Sequence, residues 1–115
     1  MSLGAQVLHV ASADKTAVDA LTVTPGKWEW RTGVDAEHYP AVQDILAVLD
    51  EQSAKTRAYL ASLGDAGVTA KIKAPWAEMT TEQFFVDWMI HEAHHRGNLV
   101  TSLRVAGVTP PNIWG

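Results

Sequence analysis

The segment TTEQFFVDWMIHEAHHRGNLVTSLRVAG, residues 80–107, decides how this chain folds. Within it Phe84, Trp88, His91, His95, Leu99, Ser102 and Ala106 succeed one another at intervals of three or four, which puts them on one stripe of an α-helix. The spacing predicts a helix from Thr80 or Thr81 to about Ala106. Thr80 with Gln83 makes a capping-box pattern at its start, and Gly107 with Pro110-Pro111 beyond it is a stop signal. Both His91 and His95 should then point into a bundle.

Upstream, Val42, Ile45, Leu46, Leu49, Leu60 and Leu63 recur at helical spacing between about Ala36 and Leu63, with Gly64 where a C-terminal glycine belongs. Pro40 suits the first turn of that helix, where a missing N–H costs little. The stretch Asp65–Thr80 reads as a loop, compatible with an extended piece around Val68–Ile72 and held down by Trp76. Val7, Val10, Ala11, Ala17, Val18 and Leu21 give an amphipathic helix from Gly4 to about Leu21; Met1-Ser2-Leu3 is left out of the fold argument. Thr22–Asp35 is a connection in which Trp28 and Trp30 alternate across Glu29, as in a short extended segment. Three substantial helices joined by long connections make an all-α helical bundle, and 115 residues suit a single domain.

Composition narrows the function classes. Nearly half of the residues are hydrophobic and 19% are charged, a globular balance. With nine basic residues, scattered, and a net charge of −4, no nucleic-acid or anionic-membrane footprint is expected. The absence of cysteine removes disulfides, thiolate metal sites and a cysteine nucleophile together, so any metal must be held by nitrogen and oxygen. No signal-peptide pattern or membrane-length apolar run occurs, and the expected location is the cytoplasm.

The chemistry concentrates in histidine. His91 and His95 lie one helical turn apart, the spacing at which two imidazoles grip one cation. A lone histidine on an apolar face is more often a hydrogen-bonded core residue than a ligand, but His91, His94 and His95 are three of only five in the chain. His94 lies about 100° round the helix from His95 and reads as a surface or supporting residue. For a third ligand His9, beside Val10 and one turn from Ala5 and Ala13, is preferred to His38 near the exposed start of the second helix. Three neutral imidazoles leave coordination open to water or substrate, the arrangement of a catalytic site. His91-Glu92-Ala93-His94-His95 also matches the zinc-protease pattern H-E-x-x-H, yet its extended form fails at Asn98 and Thr101, and no carboxylate follows Glu92. A peptidase is therefore not expected.

Leu8-His9, the run His91-Glu92-Ala93-His94-His95-Arg96-Gly97-Asn98, Leu103-Arg104 and Gly107-Val108-Thr109-Pro110-Pro111 together resemble the DinB/YfiT-like superfamily, with Asn98 in place of the usual glutamine. The resemblance implies an antiparallel helical bundle and a divalent cation on His9, His91 and His95. It also implies a small-molecule substrate, because members of the superfamily include thiol S-transferases and isomerases that use bacillithiol, mycothiol or glutathione. Imidazole suits zinc, nickel, copper and iron alike. Glu92 and His94 are the candidate proton carriers beside the metal, against the plainer reading of solvated helix residues. In the family a helix normally precedes the one bearing the first histidine, and only a handful of residues do so here. Three long helices would leave an apolar flank, for which a homodimer is expected. The alternative to an enzyme is a non-catalytic, metal-stabilised stress-response or dimerisation protein. The tryptophans, Trp114 of the tail included, are candidates for lining a ligand pocket.

Overall fold

The computed structural model describes residues 2–112, so Trp114 lies outside the described residues. The element order is α1 (Leu3–Thr22), α2 (Val42–Ser62), the short α3 (Gly64–Thr69), a hairpin of β1 (Lys71–Lys73) and β2 (Glu78–Thr80), and α4 (Thr81–Val105). This is an all-α helical bundle with three long helices, as the sequence resemblance implies.

The first helix is buried nearly all round. Leu8, Ala11, Ala13, Ala17, Val18 and Ala20 are all buried, and the small alanines let neighbours approach from several sides. Ser2, set aside in the sequence reading, is its N-cap: its Oγ accepts the Ala5 N–H at 3.1 Å. α1 packs chiefly on α2 and also on α4. Leu8, Ala11, Val34 and Val48 form one core cluster between α1 and α2. Ala13, Ala17, Ala74, Phe84, Phe85 and Trp88 form a second between α1 and α4, with Trp28 and Tyr59 against it.

The second helix starts at Val42, six residues later than its periodicity suggests. Asp35 is the reason. Its Oδ1 accepts the N–H groups of Glu37 and His38, each at 3.1 Å, and lies 2.7 Å from His38 Nδ1, closing a side-chain-capped turn instead of a helical one. Pro40 then falls just outside the helix, where Ala41 is the N-cap. Residues 28–30 form no strand; the rings of Trp28 and Trp30 stack at 6.4 Å instead of alternating.

Gly64 ends the α2 pattern with φ +62°, as its position suggests, but a further helical turn, α3, follows at once. The extended piece lies slightly later than Val68–Ile72: β1 pairs antiparallel with β2 in the register Lys71↔Thr80, Ile72↔Met79, Lys73↔Glu78. Ala70 O anchors the hairpin to the start of α4 by accepting both the N–H and the Oγ1–H of Thr81. Thr80 Oγ1 accepts the Gln83 N–H at 3.1 Å, while the Gln83 side-chain amide donates forward to Asp87. α4 closes with Gly107 N–H donating to Arg104 O and Val108 N–H to Leu103 O, a glycine-terminated end with φ +79° at Gly107.

Candidate metal centre

α1 and α4 run antiparallel along a seam fastened at two heights. Trp88 Nε1–H donates to Asp14 Oδ1 at 3.0 Å, and Gln6 Nε2 donates to Ser102 Oγ at 3.2 Å. His9 lies between Gln6 and Asp14 on one helix, and His91 and His95 lie between Trp88 and Ser102 on the other. The seam therefore sets His9 opposite the pair.

One ligating atom from each of His9, His91 and His95 lies within 4.8 Å of the other two. His91 Nε2 and His95 Nε2 are 3.0 Å apart, and the ring centroids of His9 stand 4.6 Å from His95 and 5.8 Å from His91. Two nitrogens about 2.0–2.1 Å from one tetrahedral ion would be separated by about 3.3 Å, so the pair is nearly at ligating distance. His91 Nδ1 is buried with no hydrogen-bond partner among the described residues. Burial first, and then the charge of neighbouring imidazoles, holds His91 and His95 below the ordinary histidine pKa. Neutral imidazole is the form that ligates. The donor set fits a divalent cation.

The cluster sits at the edge of the bundle and not inside it, in contrast to the expectation for His91 and His95. Both are half-buried and His9 is exposed, because what faces the seam at this height is the α1–α2 connection and not a third helix. His38 is not one of the three grouped histidines: it is exposed and bound to Asp35, which raises its pKa. His94 is exposed, with Nε2 3.3 Å from Asn98 Nδ2.

Beside the histidines opens a cavity of about 360 Å³, bordered by His9 and His91 and walled by Trp30, Trp76, Trp88 and Asp87. Glu92 does not line it. Glu92 borders a separate hollow with Val10, Leu49 and Arg96, facing α2, and is near enough to Asp14 to raise its pKa. The Asp14 carboxyl, almost wholly buried, is pushed up to about 7, chiefly by burial and next by Glu92, against the Trp88 N–H that favours its ionised form.

The family model described as the DinB family matches residues 1–114. The chain belongs to the DinB family. Searches among curated proteins and among solved structures found no match. The three-histidine group is compatible with a bound divalent cation. The DinB pattern in the sequence pointed to the histidines but not to Asp14, Asp87 or Trp30. Asp87 precedes His91 by one helical turn, a spacing that was visible in the sequence. Trp30 is one of the tryptophans offered as pocket lining, while Asp14 enters only through tertiary packing.

Proposed function

We propose that this DinB-family chain is a metal-dependent enzyme of the thiol S-transferase kind. In this reading His9, His91 and His95 hold a zinc, nickel or iron ion, and a low-molecular-weight thiol serves as cosubstrate. The observation that carries the reading is the convergence of three imidazoles from two helices at the edge of a cavity large enough for a small organic molecule. A divalent ion there would supply Lewis acidity, lowering the pKa of a thiol or water that reaches it. The chain's own residues do the rest. His91 and His95, disposed toward the neutral state, keep their lone pairs free, and the indoles of Trp30, Trp76 and Trp88 exclude water from one side. Asp87 is a cavity-side carboxylate able to accept a proton, whereas Glu92 is engaged with Asp14.

The same reading has the chain acting as a single-domain, cytoplasmic homodimer. Support for self-association comes from the large apolar side chains left exposed on α2 (Val42, Leu46, Leu60) and on α4 (Val86, Met89, Ile90). No helix among the described residues is long and apolar enough to cross a membrane.

One observation favours a second, non-catalytic reading: α1 packs less on α4 than on α2, so an ion bridging His9 to His91 and His95 would fasten the thinner seam. Elemental analysis of untagged protein, repeated on His9→Ala, His91→Ala and His95→Ala, tests the site. A thiol-transfer screen then separates the readings. Turnover lost on chelation with the fold retained supports the enzyme; unfolding on chelation without any turnover supports the structural ion.

A further inference from the structure

The cavity beside the histidines has a distinctive chemistry. Three indoles and one carboxylate line it beside His9, His91, Ser12 and Ala13, and among the described residues no lysine or arginine does. Trp30 and Trp76 are each about half exposed, at 53% and 52%, so they stand at the rim, while Trp88 at 7% belongs to the floor. None of the three leans on another. They are held from behind: Trp28 packs on Trp30 at 6.4 Å and on Trp76 at 6.1 Å, and Phe84 stacks on Trp76 at 6.0 Å and on Trp88 at 5.2 Å. A second aromatic layer thus backs the three indoles that border a space of about 360 Å³. Asp87, half-buried and steadied by the Gln83 side-chain amide at 2.9 Å, adds a negative charge to the same wall.

Indole faces carry negative electrostatic potential, so several of them around a gap, with a carboxylate, attract an organic cation and repel an anion. We propose that this cavity recognises an alkylammonium group, placing the ammonium among Trp30, Trp76 and Asp87 with the rest of the ligand directed toward His9 and His91. The substrate class is then a small molecule bearing an amine or quaternary ammonium, and polyanionic thiols are poor partners. The proposal rests on the metal-site reading only for the orientation of the reacting end; the ammonium recognition is a property of the indoles and Asp87.

The experiment is calorimetric titration of the full chain, freed of metal by chelation, with three probes of similar bulk: choline, its uncharged isostere with carbon in place of the quaternary nitrogen, and pivalate. Choline is expected to bind at one site at least about 10-fold more tightly than the isostere, as a desolvated cation–π contact confers, and pivalate not at all. Asp87→Asn and Trp30→Ala should each weaken choline several-fold with an unchanged circular dichroism spectrum. Asp87→Asn keeps the side chain's shape, so a loss there cannot be assigned to unfolding. Equal binding of choline and its isostere, tighter binding of pivalate, no saturable heat, or choline binding indifferent to both substitutions would each overturn the proposal. Zinc uptake, titrated separately, tells its failure from that of the metal site: zinc bound without choline selectivity leaves the metal reading standing, and choline selectivity without zinc uptake leaves this one.

Discussion

Asp14→Asn should flatten the dependence of stability on pH. The substitution keeps the side chain's shape and an oxygen for the Trp88 N–H, and removes only the ionisation. In the folded chain the Asp14 pKa is raised from 3.8 to about 7, with burial the main cause and Glu92 the next. Between those values the folded state keeps a proton that the unfolded chain releases. The associated stability is therefore fully present below the unfolded pKa and is lost as pH rises through about 7. The displacement corresponds to about 4 kcal/mol over the whole window, more than half of which disappears between pH 5 and pH 8. Against a usual total of about 5–15 kcal/mol, that is a loss urea can read easily. The assay is urea unfolding of the chelated protein at several pH values across that range, for wild type and Asp14→Asn side by side. Histidine titration affects both proteins alike, so the difference between the two curves reports the Asp14–Glu92 pair. The wild-type midpoint should fall with pH relative to that of the variant. Parallel curves would refute the account of a proton shared in the α1–α4 seam.

Three further outcomes follow from the geometry. His95→Ala should weaken zinc uptake by about 100-fold or more, because one of three protein ligands is lost, whereas His94→Ala, on the exposed side of α4, should leave it within a few-fold; calorimetry or a competing chelator reads both. Phe84→Ala, at a fully buried position in contact with Trp28, Trp76, Phe85 and Trp88, should cost about 3–5 kcal/mol in urea unfolding. Thr80→Ala removes the only side-chain cap of α4 and should cost about 1 kcal/mol, visible as a lower thermal midpoint, with Thr80→Ser recovering most of it.

Much of α4 could be read directly from residues 80–107, since its apolar stripe, its threonine cap and its terminal glycine all agree. That agreement fades along the helix: Phe84 and Trp88 are buried, Leu99 and Ser102 are half-buried, and Ala106 is exposed. α1 was legible as a helix but not as the central one. Of the residues that carried its signal, Ala11, Ala17 and Val18 are buried but Val7, Val10 and Leu21 only half-buried, while Leu8, Ala13 and Ala20, also buried, lay outside that pattern. The start of α2 was misjudged because periodicity at 36–41 says nothing about an Asp35 carboxylate competing for backbone N–H groups. The histidine group was recoverable because four-residue spacing is local and few other histidines exist. The tryptophans could be offered as pocket lining, but which of them wall the cavity, and the Asp14–Trp88 bond, could not be read, because each depends on segments that meet only in space.

The α1–α4 seam also has a kinetic meaning. Its two fastening bonds join residues 74 and 96 positions apart in the chain, so neither can form until nearly the whole length is available to close the loop. α1 and α2 are adjacent in sequence and share a core cluster of their own, and they can pair while α4 is still inside the ribosome. The three-histidine group then comes into being late, as the last long helix docks. A cation captured there would arrive after most of the fold is in place, and it would act on how long the docked helix stays docked.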